Sequence, residues 1–337
     1  MPGFPAPVLV MGAGSIGCYL GGMLAAAGAD VTFVGRPRVL DALRVHGLTL
    51  TDLDGARHVI APAALRLAQE IPAGIRPGLV LLAVKSGATR DAATTLAAAL
   101  PAGTLVVSMQ NGISNADTAR AAAPALKVLA GMVPYNVAEV GPGHFHRGTN
   151  GELAAQDDAA LRPWVAAFAQ SGLPLVLHAD FAPVAWGKLL VNLNNPVNAL
   201  SGRPLREQIY ERGYRICTAA LIDETLVVLG AAGIRPAGIA KIPARGLPTA
   251  LRLPTSIFRV ISPEVRRIDP HARSSMADDL RLGRPTEINE ICGAVVRLAR
   301  DIGRAAPLNQ RMVELLAEPA AVRPMSPEAL QTALGLR

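Results

Sequence analysis

Near the amino terminus, three glycines fall in the pattern GxGxxG, in the run Gly12-Ala13-Gly14-Ser15-Ile16-Gly17. The apolar residues 8–11 precede the run, as in a strand buried on both faces, and residues 15–27 read as a helix. In that context Gly12 permits a tight turn, Gly14 lets the backbone approach a pyrophosphate, and Gly17 lets helix and strand pack closely. Glycines in an ordinary turn are the competing interpretation. The strand before the motif and the helix after it favour phosphate binding at the helix amino terminus.

The rest of the N-terminal half repeats this alternation of strand and helix. Apolar runs predict strands at residues 8–11, 31–34, 79–84, 104–108 and 128–130. The segments between them read as helices, and such connections are right-handed crossovers that build a parallel, doubly wound sheet. The sequence therefore predicts an α/β protein with a Rossmann domain over residues 1–180.

Beyond residue 180 the pattern becomes helical. Helices are predicted at residues 181–200, 214–229, 275–282 and 287–302. In the last of these, one apolar stripe recurs at helical spacing and consists of Ile288, Ile291, Val295, Leu298 and Ile302. We therefore expect an all-helical C-terminal domain over residues 181–337.

The end of the second predicted strand indicates which dinucleotide binds. An acidic residue at that position typically holds the ribose hydroxyls of NAD, whereas this chain has Arg36 between Gly35 and Pro37. A carboxylate would repel a 2′-phosphate, and a guanidinium can hold it through two hydrogen bonds. A solvated arginine on a loop is the alternative, but the position favours NADP(H) as the cofactor.

Composition excludes several other classes of protein. The net charge of +7 suits a phosphate-bearing ligand and also nucleic acid or a membrane surface, but the basic residues form no run with interleaved aromatics, so nucleic-acid binding is not expected. Residues 8–29 are uncharged and long enough to span a bilayer, yet their glycines favour strand, turn and helix, so no membrane segment is expected. Cys18, Cys217 and Cys292 form no metal or disulfide pattern, which is typical of the reducing cytoplasm.

A lysine and two asparagines stand out in the second half. On one continuous helix, residues four and seven positions after Lys188 share its face, so Lys188, Asn192 and Asn195 would form one stripe while Asn194 points elsewhere. The neighbouring residues are apolar, which buries the helix, and a buried lysine is unfavourable unless it faces a polar cleft. The alternative is a lysine that extends to solvent beside capping amides.

Several motifs occur in a fixed order along almost the whole chain. After GxGxxG they are Val84-Lys85, Gln110-Asn111-Gly112, Trp186-x-Lys188-Leu189-x-x-Asn192, Ser274-Ser275-Met276 and Thr286-Glu287-Ile288. In these motifs the sequence resembles the ketopantoate reductase (2-dehydropantoate 2-reductase) family. The resemblance implies NADPH-dependent reduction of the 2-oxo acid ketopantoate to pantoate in pantothenate biosynthesis. It also implies a helical C-terminal domain like that of 6-phosphogluconate dehydrogenase, which would carry the substrate and catalytic residues.

The resemblance implies roles for individual residues. Lys188 would be the general acid that protonates the carbonyl oxygen as hydride arrives, and Glu287 would hydrogen-bond the substrate hydroxyl and orient the site. Polar binding residues for the substrate would be Asn111, Asn192, Asn195 and Ser275. The cofactor would be held by Gly12, Ala13, Gly14, Ser15, Ile16, Gly17, Arg36, Lys85 and Asn111. No metal is needed for this chemistry.

Each assignment has a simpler alternative. Glu287 and Ser275 also stand where a helix start favours an acid or a serine, and Asn111 could be a turn residue beside Gly112. His144 and His146 have no acidic or thiol partner near them in the sequence, so they are interpreted as strand or loop residues rather than metal ligands.

Two features depart from the family pattern. Asn195 follows Asn192 by three residues where four are expected, and residues 236–273 are longer and more basic than a compact connection. The basic residues of this stretch are Lys241, Arg245, Arg252, Arg259, Arg266, Arg267 and Arg273. Three roles stay open for the stretch: covering the cleft, broadening substrate choice, or forming a subunit interface, which would make a homodimer.

Two other functions also stay open. One is an NADPH-dependent reductase of a different 2-oxo acid, which only turnover can distinguish. The other is a non-catalytic NADP-binding regulator, against which the set of lysine, asparagine and glutamate argues.

Overall fold

Two compact units make up the chain, Met1–Phe181 and Ala182–Arg337. The computed structural model describes residues 4–238, 242–270, 272–317 and 323–336. Of the basic residues noted above, Lys241 lies outside the described residues. The strands lie in the first unit, and helices form the second.

Short strands and five helices build the described part of the first unit. The strands are β1 (Val8–Met11), β2 (Val31–Val34), β3 (Leu48–Asp52), β4 (Arg57–Ile60), β5 (Arg66–Ala68), β6 (Leu79–Leu82), β7 (Leu105–Ser108), β8 (Lys127–Met132), β9 (Val137–Gly141), β10 (His144–Arg147), β11 (Leu153–Gln156) and β12 (Leu175–His178). The helices are α1 (Ser15–Ala26), α2 (Pro37–His46), α3 (Thr89–Ala99), α4 (Asn115–Ala122) and α5 (Val165–Gln170).

The main sheet has the order β12-β11-β8-β7-β6-β1-β2-β5 over the described residues. Its strands run parallel from β5 through β8, with β1 between β2 and β6. The predicted Rossmann domain is therefore confirmed. The sheet is not parallel throughout, because β11 pairs with β8 in the antiparallel direction.

Packing on both faces explains the unbroken apolar sequence of the central strand. Val8 and Val10 join a core cluster with residues of α1, whereas Leu9 joins a separate cluster with residues of α3 and α4. Alternate side chains thus enter two cores, so neither face of β1 can be polar.

A second sheet, with the order β4-β3-β10-β9, was not predicted. Only one face of it is buried: Leu50 and Phe145 enter the core cluster of α1. His144 and His146 are strand residues, as predicted, and both rings lie 2.9 Å from the Thr51 hydroxyl oxygen. Groups of three or more His, Cys, Asp or Glu placed to hold a metal ion are absent from the residues that the structure describes.

The second unit consists of helices over its described residues. They are α6 (Ala182–Asn192), α7 (Asn194–Ser201), α8 (Leu205–Tyr210), α9 (Arg212–Ala231), α10 (Leu247–Arg252), α11 (Thr255–Ile261), α12 (Ser275–Arg281), α13 (Ile288–Asp301), α14 (Pro307–Leu315) and α15 (Pro327–Ala333). The predicted stripe of α13 is confirmed in its first three members, since Ile288, Ile291 and Val295 are buried. Leu298 is half-buried, and Ile302 lies just beyond the end of the helix. Within the described parts of the chain, every helix is too short or too polar to cross a membrane.

The prediction of one helix over residues 181–200 is wrong. α6 ends at Asn192, Leu193 lies in a turn, and α7 begins at Asn194. Pro196 explains the break, because it has no N–H to donate to the carbonyl of Asn192 and its ring crowds that carbonyl. In the first turn of α7 the same proline is tolerated, since no intrahelical partner is required there.

Residues 251–258 of the basic stretch pack around one buried arginine of α9. Arg215, only 1% exposed, donates hydrogen bonds to the carbonyl oxygens of Leu251 at 2.9 Å and Leu253 at 2.7 Å, at the C-terminal end of α10. It donates a further bond to the carbonyl of Ile209 at 3.1 Å, and its guanidinium lies 4.2 Å from the centre of the Phe258 ring. Backbone carbonyls and an aromatic face therefore solvate this cation in place of water.

Candidate functional site

Two glycines of the GxGxxG motif are required by close packing. Gly12 has φ +110°, and a Cβ there would lie 2.7 Å from backbone atoms of Ala83 and Val84. A Cβ on Gly17 would collide with the carbonyl oxygen of Gly12. These contacts hold the turn between β1 and α1 against the strand end of β6, so the first and third glycines serve the fold itself.

The middle glycine is different. Gly14 precedes α1 with φ −99° and ψ −167°, an extended backbone that any residue can adopt. A Cβ there would meet no protein atom within 4 Å. The open space lies at the first turn of α1, which begins with Ser15 and Ile16 and carries no acidic residue. This arrangement fits a dinucleotide pyrophosphate, because helix amino termini offer N–H groups and a positive dipole end to phosphate.

Replacing Gly14 with alanine should therefore weaken dinucleotide binding without lowering the stability of the protein. We expect Gly14→Ala to leave the Tm within about 2 °C of the parent, because the new methyl group meets open space. The Kd for the dinucleotide should rise roughly tenfold, because the methyl group would crowd the pyrophosphate. Thermal melts and fluorescence titrations measure the two quantities, with Gly12→Ala as the variant expected to lose stability. Unchanged affinity in Gly14→Ala would contradict a phosphate site here.

The two arginines after β2 have different environments. Arg38 is held by Glu139 through two hydrogen bonds of 3.1 and 2.9 Å, and this pairing raises the pKa of Arg38. Arg36 occupies the position before α2, and its side chain is exposed. Within the described residues, the Arg36 guanidinium has neither a hydrogen bond nor an ion pair with another side chain. It is therefore the arginine available to an anionic ligand.

Buried polar side chains order the loops after β6 and β7. Gln110 donates to the carbonyl of Val84 at 2.9 Å and to the Thr89 hydroxyl at 2.7 Å. The Ser108 hydroxyl in turn donates to the Gln110 side-chain oxygen at 2.8 Å. Because Lys85 follows Val84 directly, this network fixes the start of the loop that carries Lys85.

The network continues to the predicted Asn111. The Thr89 hydroxyl donates to Asn115 at 2.9 Å, and the Asn115 amide donates to the carbonyl of Asn111 at 2.5 Å. Sequence reasoning missed Thr89 and Asn115, since a threonine and an asparagine at helix starts look like ordinary capping residues. Gly112, with φ +87°, then turns the chain toward α4.

All predicted cofactor residues follow neighbouring parallel strands. The glycine motif follows β1, Arg36 follows β2, Lys85 follows β6, and Asn111 follows β7. These strands are adjacent in the order β7-β6-β1-β2, so the residues lie at the same edge of the sheet. The carboxyl edge of an open parallel sheet is where ligands of this fold class bind.

Lys188 lies on α6 of the second unit. The residue is half-buried, and its neighbours Trp186 and Leu189 on the same helix are buried. Burial removes the Lys188 ammonium from water and lowers its pKa to about 8. The buried Asn192 follows one turn later. A lysine extending into solvent would keep an ordinary pKa, so this environment is the one expected of an ammonium that exchanges protons near neutrality.

The break at Leu193 corrects the expected stripe. Asn195 lies on α7, so its position relative to Lys188 does not follow from the geometry of one helix. Asn194 points elsewhere, as expected: its amide exchanges hydrogen bonds with Gln208 at 3.0 and 3.1 Å. Asn195 is half-buried, and its carbonyl accepts a hydrogen bond from the Ser274 hydroxyl at 3.3 Å.

The structure distinguishes Ser275 from a capping residue. Ser274 caps α12, its hydroxyl oxygen accepting from the N–H of Ala277 at 3.2 Å. Ser275 is the first residue of α12, and it is exposed. Glu287 stands at the capping position of α13, but its side chain makes no capping hydrogen bond. In this unit the bond from Ser274 to Asn195 thus brings two predicted substrate-binding residues, Asn195 and Ser275, close together.

Comparison with known sequences matches both units to one family. The family model described as ketopantoate reductase PanE/ApbA matches residues 8–159, and the model of its C-terminal domain matches residues 180–320. The chain is similar to 2-dehydropantoate 2-reductases of Halobacterium salinarum, with 28% identity over 92% of this chain and 97% of the relative, and of Mesorhizobium japonicum, with 27% identity over 94% and 98%.

Comparison with solved structures gives the same result. A PanE/ApbA family ketopantoate reductase from Ralstonia eutropha is 30% identical, with a TM-score of 0.77 over 93% of this chain and 98% of the other. A D-mandelate dehydrogenase shares the fold at 20% identity, with a TM-score of 0.78 over 94% and 99%. Because the family models together span both units, the chain belongs to the ketopantoate reductase family.

Proposed function

We propose that the chain catalyses the NADPH-dependent reduction of ketopantoate to pantoate, a step of pantothenate biosynthesis, in the cytoplasm. Membership of the family supports an oxidoreductase of this kind. The observation that carries the chemistry is Lys188, whose burial lowers its pKa to about 8. Cys18, Cys217 and Cys292 are buried and are not joined in disulfides, which agrees with a reducing compartment.

The first unit is proposed to hold the cofactor, corresponding to the domain at residues 1–180. When bound, NADPH supplies the hydride, and the protein supplies position and electric field. Gly14 leaves room for the pyrophosphate, and Arg36 is available to the 2′-phosphate. Ala13, Lys85 and Asn111 are proposed to line the same edge of the sheet.

The second unit is proposed to supply the acid, corresponding to the domain at residues 181–337. As hydride reaches the carbonyl carbon, negative charge develops on the carbonyl oxygen, and the Lys188 ammonium stabilises that charge and donates the proton. A pKa of about 8 leaves Lys188 mostly protonated at neutral pH, yet more ready to give up its proton than an exposed lysine.

Other residues of the proposed site bind and orient the substrate. Glu287 hydrogen-bonds the substrate hydroxyl, and Ser275 binds the carboxylate. Asn111, Asn192 and Asn195 provide amides that can both donate and accept hydrogen bonds. A homodimer is proposed as the assembly; a ketopantoate reductase of Staphylococcus aureus is described as dimeric, at 20% identity.

A panel of 2-oxo acids tests the proposed substrate. We expect kcat/KM for ketopantoate to exceed that for 2-oxoisovalerate, which lacks the hydroxymethyl group, by roughly a hundredfold, because a site built to hydrogen-bond a hydroxyl rejects analogues without it. NADPH consumption measures each rate. Faster turnover of another 2-oxo acid would identify a reductase with a different substrate. NADPH binding without turnover of any 2-oxo acid would identify a non-catalytic regulator.

A further inference from the structure

Asn198 on α7 is fully buried and bonds to two other segments. Its amide nitrogen donates to the carbonyl of Arg203 at 3.1 Å, beyond the end of α7. Its amide oxygen accepts from the backbone N–H of Ser274 at 2.9 Å, at the start of α12. An amide side chain can donate and accept at once, and a buried backbone group left without its partner is unfavourable.

Further bonds run alongside those of Asn198. The N–H of Leu205 donates to the carbonyl of Ala272 at 2.8 Å, and the Arg273 guanidinium donates to the carbonyl of Gly202 at 2.8 Å. The residues that lead into α12 are therefore fastened to the turn after α7. Within this set, Asn198 supplies the fully buried bond nearest to Ser275.

The same connection fixes α12 relative to Asn195. Ser274, which is 2% exposed, caps α12 and also donates to the carbonyl of Asn195 at 3.3 Å. Asn195 and Asn198 lie one turn apart on α7, so Ser274 is held against one side of that helix by two bonds. Ser275 follows directly, and its exposed hydroxyl takes its position from this attachment.

We infer that Asn198 is a positioning residue for the 2-oxo acid: by holding the N–H of Ser274, it sets the distance between Asn195 and Ser275. The inference rests on the proposed function, in which those two residues bind the substrate. It also gives Asn195 a defined place although Asn195 and Lys188 lie on different helices. The break at Leu193 starts a new helix, and the bonds from Asn195 and Asn198 to Ser274 register that helix against α12.

Kinetics of Asn198→Ala in the full-length protein test the inference. We expect KM for ketopantoate to rise roughly tenfold, because small displacements of binding groups weaken substrate binding strongly. The kcat should stay within about threefold of the parent and the Kd for NADPH should not change, because uniform binding is lost and no catalytic group is removed. Asn194→Ala is the matched control. It removes a hydrogen-bonded amide on the same helix that bonds Gln208 rather than Ser274, so its KM should stay that of the parent.

A double-mutant cycle shows whether Asn198 acts through Ser275. If it does, the KM of the double variant Asn198→Ala/Ser275→Ala should match that of Ser275→Ala alone. The reason is that Asn198→Ala cannot displace a Ser275 hydroxyl that has already been removed. Additive increases would overturn the inference. The inference would also be overturned if KM rises in Ser275→Ala but stays unchanged in Asn198→Ala. That outcome would leave the proposed function intact. No effect of Ser275→Ala would instead refute the proposed carboxylate role.

Ser274→Ala keeps the inference testable if Asn198→Ala does not fold. This variant removes the hydroxyl bond to Asn195 and the cap of α12 but keeps the backbone bond to Asn198. We expect its KM for ketopantoate to stay within about threefold of the parent, because the bond that positions Ser274 is retained. A tenfold rise in KM in a folded Ser274→Ala protein would overturn the inference, because the Ser274 hydroxyl rather than Asn198 would then set the position of Ser275.

Discussion

Lys188→Ala should lower kcat for 2-oxo acid reduction by roughly two to four orders of magnitude, the usual effect of losing a positioned acid together with its charge stabilisation. The Kd for NADPH should stay near that of the parent, because the lysine lies in the second unit and the glycine motif in the first. Lys127→Ala is the matched control, since the Lys127 ammonium lies on the surface, 2.8 Å from Asp158. Its kcat should not change.

The pH profile gives a second measurement of the same group. Burial lowers the pKa of Lys188 from 10.5 to about 8, and the proposed role as proton donor needs the protonated form. The kcat/KM for ketopantoate should therefore decline as pH rises through about 8, roughly tenfold for each further pH unit. Lys188→Ala should lack this decline. A near-normal kcat in the variant, with every accepted 2-oxo acid, would show that the lysine is structural.

Arg36→Ala should reduce the preference for NADPH over NADH by roughly ten- to a hundredfold, mainly through weaker use of NADPH. The reason is that the Arg36 guanidinium is exposed and available to a 2′-phosphate, which NADH lacks. Measuring kcat/KM for both cofactors in both proteins gives the ratio.

The neighbouring arginine provides the control for cofactor choice. Arg38→Ala removes the same charge two residues away, but Arg38 is already held by Glu139. Its cofactor ratio should stay that of the parent, apart from a small change due to net charge. If Arg36→Ala and Arg38→Ala shift the ratio equally, general electrostatic attraction rather than a specific phosphate contact explains the preference.

The Rossmann core could be predicted because local and tertiary requirements agree there. β1 is buried on both faces, so its sequence is uniformly apolar, and Gly12 and Gly17 are dictated by backbone contacts a few residues away. The small sheet escaped prediction for the opposite reason. In β10, one buried Phe145 stands between two histidines, and so short a half-buried alternation does not distinguish a strand from a loop.

In the candidate site, too, some features follow from local sequence and others depend on distant contacts. Lys188 stands out in the sequence as a candidate because a charged residue among apolar neighbours on a helix is unusual. The break before Asn194 was missed because α6 and α7 are both helical and Pro196 falls within the first turn of α7. The contacts of Asn198 with Ser274 span 76 residues of sequence, so no local pattern could reveal them.

The hydrogen bonds of Arg215 make two evolutionary changes depend on each other: the loss of residues 247–253 and the replacement of Arg215. Deleting residues 247–253 would remove the carbonyls of Leu251 and Leu253 and leave a buried guanidinium short of acceptors. Replacing Arg215 alone would leave the same carbonyls buried without donors. Loss of the segment and loss of the arginine are thus expected to occur together in any relative that lacks this segment.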